Sequence, residues 1–487
     1  MRAQEEIVRI LGSPNVADRS EVLEDYSNDL SFVQRIRPGA AVKANSAEAV
    51  KAIVKWANET RTPLVPVSSG GPHLHGATVP GVGGAVVVDL SGMKKIMRVD
   101  RRNRVAMVEP GVTFEELIPA VEKEGLATFM PLLPRSRKSV VTSFLERTPI
   151  TMPRFHWEPQ DPLQCVEVIY GTGDLMRTGS AVIPASLEKQ WALGRAQLRG
   201  MGPSQVDFTR LLQGAQGTMG IVTWATIKCR PLARRKKVFL VSSRDLSPLI
   251  EMAYGITFRK LGEELLLLNN VSLAAILGKD REEIETLRAQ LPPWVLLLGI
   301  EGAGVLPEER VAYQEAESSD VARSFGLELK GVIPGARSED LCDVLCRPSS
   351  EPYWKLRLQD AFSEIFFLTT LDQAPEFVET ICSLAAGNRY GGERIGVYIQ
   401  PTVQGTNCHM EFTFPYAPQA REEADKVRGL VEEGSEALAG RGAFFSRPYG
   451  SWARIAYRED AQVVIGQRKL KGIFDPNGIL NPGKLCF

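Results

Sequence analysis

Neither sign of charge dominates this chain of 487 residues: 58 lysines plus arginines stand against 58 aspartates plus glutamates. A balanced charge provides no field to draw nucleic acid or an anionic membrane surface, and short basic clusters such as Arg234-Arg235-Lys236-Lys237 read as solvated surface. No run approaches the roughly 18 uninterrupted apolar residues of a membrane span. The start, Met1 to Val8, is an acidic-basic amphipathic mix without an apolar core of signal-peptide length, so a cytoplasmic protein is expected. Cysteine is sparse, and its seven residues, Cys165 to Cys486, are scattered and odd in number, which argues against a disulfide framework. Cys342 and Cys346 are spaced for one helix face, yet no second pair completes a zinc or iron-sulfur site. Histidine is scarcer still, with only His73, His75, His156 and His409, and that narrows the search for a group that transfers protons near neutral pH.

The chain is longer than the roughly 250 to 300 residues at which a single core stops growing, so two domains are expected. Helical spacing runs from Ala47 to Ala57 behind a Ser46 cap, Thr62 to Val67 turns strand-like, and Thr113 to Leu117 has the arrangement of a capping box. Cys165 to Tyr170 and Leu175 to Gly179, separated by a glycine turn, read as a hairpin. A second domain is expected to begin after Pro231. In it, helix patterns such as Arg281 to Leu287 alternate with strand runs such as Trp294 to Ile300 and Cys408 to Phe414, which fits an antiparallel sheet covered by helices.

The most informative stretch is Pro66-Val67-Ser68-Ser69-Gly70-Gly71-Pro72-His73-Leu74-His75-Gly76-Ala77, between two strand-like runs. Small residues there leave backbone N–H groups free to converge on an anion, and a pyrophosphate-bearing cofactor is the natural guest. Two further segments accompany it: Gly214-Ala215-Gln216-Gly217-Thr218-Met219-Gly220-Ile221-Val222-Thr223, ahead of a strand, and Phe474-Asp475-Pro476-Asn477-Gly478-Ile479-Leu480-Asn481-Pro482-Gly483-Lys484 near the end. With Glu109-Pro110-Gly111-Val112, and in this order, they resemble the flavin-binding oxidoreductases of the vanillyl-alcohol oxidase and p-cresol methylhydroxylase superfamily, from about Tyr26 to the C-terminus.

That resemblance implies an α+β fold. It has a two-part FAD domain, residues 1–235 with a returning segment 450–487, and an α+β cap or substrate domain with an antiparallel sheet, residues 236–449. It implies FAD contacts from Val67, Ser68, Ser69, Gly70, Gly71, Pro72, His73, Gly76 and Ala77, of which Ser68, Ser69, Gly70, Gly71 and Gly76 would ring the pyrophosphate, from Ser139, Val140 and Ser143, and from Gly217, Gly220, Ile221, Val222 and Asn481, of which Gly220, Ile221 and Val222 would line the adenosine side through their backbone. The family's central glycine-rich segment is matched only in part, because Arg135, Arg137 and Lys138 stand where glycines are expected; cations beside a diphosphate can replace close backbone approach.

Departures narrow the chemistry. Pro72 holds the place of a covalent histidine found in many relatives, and the cap-domain histidine of the vanillyl-alcohol branch falls near Glu364, so FAD is expected to be held without a covalent tether. The metal-binding branch pairs two histidines seven residues apart, but Thr402 stands where His409 should have its partner, so no metal is expected. Phe444 and Phe445 occupy the place of a Tyr-Arg pair that holds phenolate, with Arg447 and Tyr449 close behind.

The candidate bases are His156 and His409, with period-two alternation placing Asn407 and Glu411 on the face of His409. Arg154 and Arg447 are the candidate anion-binding groups, Tyr398 and Gln400 are expected on the cap side, and His73 and His75 are read as loop residues beside the cofactor. The reading is an FAD-dependent dehydrogenase or oxidase taking hydride from an alcohol-like or para-substituted phenolic substrate. The alternatives are a metal-independent 2-hydroxy-acid dehydrogenase and a flavin electron-transfer subunit. The expected partners are a small substrate, an electron acceptor (protein, quinone or oxygen) and a second copy of the chain.

Overall fold

The computed structural model describes residues 2–17, 20–152, 162–183, 185–203, 206–458 and 460–487. Its first sheet is built where short apolar runs alternate with a helix. Strands Ala40–Lys43, Val86–Asp89 and Leu64–Val67 pair in parallel with Val86–Asp89 in the middle, and the short Val16–Ala17 closes one edge antiparallel. Parallel strands need a crossover, and helix Ala47–Thr60 supplies it. Ser46 caps that helix by accepting the Ala49 N–H, and its inward stripe is Val50, Ile53, Val54, Trp56 and Ala57. The loop after Leu64–Val67 therefore leaves the end of a strand paired to a fully buried central one.

The second sheet has six strands about the long Gly220–Pro231, which pairs antiparallel with Val105–Val108, Leu126–Thr128 and Leu163–Tyr170. The expected hairpin is present, as Leu163–Tyr170 pairs with Leu175–Arg177. Helices Phe114–Glu122 and Val140–Leu145 pack over this sheet, and the first opens with the capping box of Thr113 and Glu116.

The third sheet is antiparallel throughout, in the order Arg235–Ser243, Trp294–Gly302, Glu264–Asn269, Gly396–Thr402, Asn407–Tyr416 and Ala361–Thr369. Helices Ser247–Phe258, Pro307–Ser324, Ala374–Gly387 and Arg421–Ala439 cover one face over a large apolar core. The other face looks toward the first two sheets. Register decides what it presents: Phe366 and Tyr398 both lie opposite Glu411, Glu364 lies opposite Thr413 and Gln400 lies opposite His409. Residues directly opposite on antiparallel strands share a face, so this one carries polar and titratable side chains.

Two connections bind the parts. A buried network links the strands on either side of residue 232: Arg230 hydrogen-bonds Glu301, while Lys236 reaches Glu264 at 2.8 Å and Glu301 at 3.3 Å. Beyond helix Ala461–Phe474 the chain returns to the first sheet, where the Leu64 N–H donates to Ile479 O (2.7 Å) and the Asn481 N–H donates to Leu64 O (2.8 Å).

Candidate active site

A deep cleft of about 250 Å³ open to water-sized molecules runs between the loop at 66–78, the segment 212–222 and the polar face of the third sheet. The loop forms one wall. Ser68 Oγ bonds Thr142 Oγ1, and Ser69 Oγ accepts the Ser139 N–H (3.1 Å), which fastens the loop to the start of helix Val140–Leu145. Arg135 donates to the carbonyls of Gly70 and Pro72, and the Gly70 N–H is itself used by Arg137 O at 3.0 Å. The cations in place of glycines thus brace the loop through its carbonyls: Arg135 bonds it, the Arg137 side chain packs on Gly70, and Lys138 pairs with Glu146 at 2.5 Å. Burial pushes the Glu146 carboxyl up, but the Lys138 ammonium outweighs it and holds the group below the usual range. Burial lowers His73 to about 4, so it is neutral at physiological pH.

Glycine is required where backbone segments meet. Gly217 has φ +73°, and a Cβ there would stand 2.5 Å from Pro66 Cγ; one on Gly220 would stand 2.4 Å from Val168 Cγ2. Nearby, Asn481 Nδ2 donates to Gln216 O (2.7 Å), and Lys471 Nζ donates to the carbonyls of Thr218 (2.7 Å) and Leu480 (2.8 Å), drawing the final segment against this turn.

The cleft's far end is lined by Tyr353, Trp354, Lys355, Glu364, Phe366, Tyr398, His409, Glu411, Arg447 and Tyr449. Lys355 Nζ hydrogen-bonds both Glu364 and Glu411. His75 Nε2 lies 2.8 Å from Glu364 Oε2, and His409 Nε2 lies 3.6 Å from Glu411 Oε2. Burial opposes charge on Lys355, yet Glu364 and Glu411 raise its proton affinity above the ordinary value; burial likewise pushes both carboxyls up, and the lysine ammonium turns each net downward. Burial lowers the His409 affinity, leaving a neutral imidazole able to accept a proton. Arg447 places its guanidinium carbon 4.1 Å from the centre of the Phe366 ring, and among the described residues no carboxylate pairs with it. Tyr398 donates to Gln400 at 2.8 Å.

Among the residues named from sequence, Val67, Ser68, Ser69, His73, Ala77, Ser143, Gly217, Gly220, Ile221, Val222, His409 and Arg447 line this cleft. Ser139 and Val140 sit behind it, the serine capping a helix and the valine in the core. Gly70, Gly71, Pro72, Gly76 and Asn481 shape its walls without lining it; the Gly76 N–H is taken by Asp29 at 2.5 Å. Arg154 and His156 lie outside the described residues. His75, read from sequence as a loop residue, is bonded into the carboxylate cluster, since the loop turns Nε2 onto the third sheet. Sequence reasoning gave no role to Lys355 or Glu146, and placed Glu364 and Glu411 without assigning them chemistry; the available signal was an acid at an inward position of an otherwise apolar strand.

The donors fit a diphosphate-bearing cofactor. Thr78 Oγ1 and Ser143 Oγ line the cleft, are buried, and have no hydrogen-bond partner among the described residues, an arrangement that costs stability unless a ligand satisfies them. No metal-holding cluster of histidine, cysteine and carboxylates occurs among the described residues, and none of their helices is long and apolar enough to cross a membrane.

Comparison with known proteins agrees. Residues 38–179 match the family described as FAD binding domain. An uncharacterized FAD-linked oxidoreductase of Mycobacterium tuberculosis is 23% identical over 480 residues, covering 97% of this chain and 96% of the relative. The structure of 4-ethylphenol oxidase from Gulosibacter chungangensis, in complex with isoeugenol, superposes with a TM-score of 0.82 at 18% identity, covering 99% of this chain and 96% of that one. The structure of p-cresol methylhydroxylase with substrate bound gives a TM-score of 0.79 at 18% identity over 100% and 96%. The chain therefore carries an FAD binding domain at residues 38–179, has the fold seen in the 4-ethylphenol oxidase and p-cresol methylhydroxylase structures, and is an FAD-dependent oxidoreductase.

Proposed function

We propose that this enzyme oxidises a small anionic substrate, an alcohol or a para-substituted phenol, with Arg447 holding the anion and His409 accepting a proton. The observation that carries this reading is the guanidinium of Arg447: it lines a buried cleft, lies against an aromatic face and has no carboxylate partner among the described residues. An arginine so placed is completed by a ligand oxyanion, to which its fork can donate twice. Tyr398 and Tyr449 wall the same space, and burial pushes both phenols well above their ordinary value, so both remain neutral.

FAD supplies a two-electron acceptor for the substrate C–H bond. Ser68 and Ser69 of the loop, with Thr78 and Ser143, hold its diphosphate, the turn at 217–222 holds its adenosine half, and Arg447 fixes the substrate's orientation. Attachment is without a covalent bond: Pro72 replaces one expected histidine, and Glu364, at the place of the other, is engaged with His75. The division into residues 1–235 and 450–487 for the cofactor and 236–449 for the substrate is part of this proposal.

The test is anaerobic mixing of the purified holoenzyme with 4-alkylphenols, aromatic alcohols and 2-hydroxy acids while flavin bleaching is followed. At least one class bleaches the flavin with no partner protein present, and Arg447→Ala weakens that substrate's binding by about 10- to 100-fold, as loss of a charged hydrogen bond requires. Failure of every class refutes the reading in favour of a partner-dependent electron-transfer subunit.

A further inference from the structure

Two histidine-carboxylate pairs face the cleft, and one ammonium group joins them. Glu364 gives Oε2 to His75 and Oε1 to Lys355; Glu411 turns Oε2 toward His409 and gives Oε1 to the same Lys355. The side chains of Lys355, Glu364, Glu411 and His409 are 5%, 4%, 10% and 3% exposed, so this charge is not diluted by bulk water. His75 is reached from the cleft at 26%. His75 bonds an ionised carboxylate through Nε2, which places its ring hydrogen there and leaves Nδ1 as the accepting atom, and His409 turns Nε2 toward Glu411 at 3.6 Å, an orientation that favours the same tautomer.

The surroundings fix the charge count. Arg447 and Tyr398 face His409; Tyr449, Phe366 and Glu146 face His75; Tyr353, Trp354 and Phe362 face Lys355. Glu146 is matched by Lys138, and burial holds the three phenols neutral, that of Tyr353 at about 12. One ammonium and two carboxylates thus leave the cluster at a net charge of minus one when both imidazoles are neutral. One added proton brings the cluster itself to zero beside the single positive charge of the facing Arg447 guanidinium, while a second would make the cluster positive as well and set two like charges against each other in a buried site.

We propose that Lys355 joins the two pairs into a single store with room for one proton, shared between His75 and His409, and that this store receives the proton the substrate loses. The inference rests on the oxidation proposed above. In that step the substrate enters with its hydroxyl protonated, its C–H and O–H bonds break and its carbon-oxygen double bond forms, with Arg447 facing the oxygen as negative charge develops on it. Two electrons and the C–H hydrogen leave to FAD, and the O–H proton goes to Nδ1 of one of the two imidazoles. Lys355 is a positioning residue, since it sets how many protons its neighbours accept.

The experiment uses holoenzyme labelled with carbon-13 in the histidine rings, followed by NMR across a pH titration. Only four histidines are present, so each signal is assigned by a single His→Gln substitution. The expected result is that His75 and His409 together take up one proton. His75→Gln raises the midpoint of His409 by about 1 unit, and His409→Gln does the same for His75, because each removes its competitor. Lys355→Met leaves two carboxylates without a cation and takes up two protons, whereas Lys355→Arg restores one. Full, independent protonation of both rings in the unaltered enzyme, or midpoints that do not respond to the partner's removal, overturns the store. If Lys355→Met does not fold, the two His→Gln variants and Lys355→Arg still decide. No substrate enters this titration, so a failure of every compound to bleach flavin counts against the oxidation alone.

Discussion

At the scale of single residues, the site depends on charges that are buried only because they are matched. Glu146, Glu364 and Glu411 are held below the ordinary carboxylate range, and such a group stabilises the fold above its unfolded value and loses that contribution as pH falls through its folded value. Lys355 is held above the ordinary lysine value, so its contribution is present below about 10.4 and lost as pH rises through its folded value. Urea unfolding should therefore show stability falling on acidification, first below about pH 6.5 because buried His73 and His409 stay neutral while the unfolded chain's histidines take up protons, and then as the carboxylates are protonated, with a loss of about 3 kcal/mol or more by about pH 3. A curve flat down to that pH would mean the pairs are not formed. Part of this was legible beforehand: alternation along the strand put Glu411 on the face of His409, and Arg447 was named as an anion holder. Lys355 was not, because its meaning comes from two carboxylates 9 and 56 positions away that meet it only through folding.

Among secondary-structure elements, the local signals were the readable ones. Ser46 and Thr113 cap the helices their neighbours announced, and the glycine turn before Leu175 makes its hairpin, because these features are decided within a few residues. The order of strands in the third sheet was not readable, as it places Glu264–Asn269 between Trp294–Gly302 and Gly396–Thr402 through contacts distant in sequence. The return of the final segment was expected from resemblance, and the structure supplies its physical cause. Lys471, at the end of helix Ala461–Phe474, ties Thr218, Leu480 and Asp475 (Oδ2 at 2.6 Å) together from one buried ammonium. Lys471→Met leaves Asp475 buried without its cation and should cost about 3 to 5 kcal/mol. Denaturant midpoints together with FAD retention on gel filtration check this; a loss under about 0.5 kcal/mol, with FAD retained, would show that the segment docks without it.

For the whole molecule, the proposed function resides in a cleft that no single sheet builds. Strand Leu64–Val67 of the parallel sheet runs into the serine and glycine loop, the long central strand of the second sheet begins at the turn around Gly220, and the third sheet supplies a polar face with the Lys355 cluster and Arg447 beyond it. The buried Arg230, Glu301, Lys236 and Glu264 network fixes the strand that passes from the second sheet to the third. The fold class was legible because alternating patterns along the chain specify it, whereas the site was legible mostly on its expected cofactor side, where one loop concentrates the signal, and on the far side only at His409, Glu411 and Arg447. The measurement that bears most directly on this account is acid precipitation of the purified protein, with flavin quantified in supernatant and pellet. The account predicts one FAD per chain, all of it in the supernatant. Flavin remaining in the pellet would contradict non-covalent attachment, and a protein that neither carries FAD nor takes it up would contradict the assignment of the cleft.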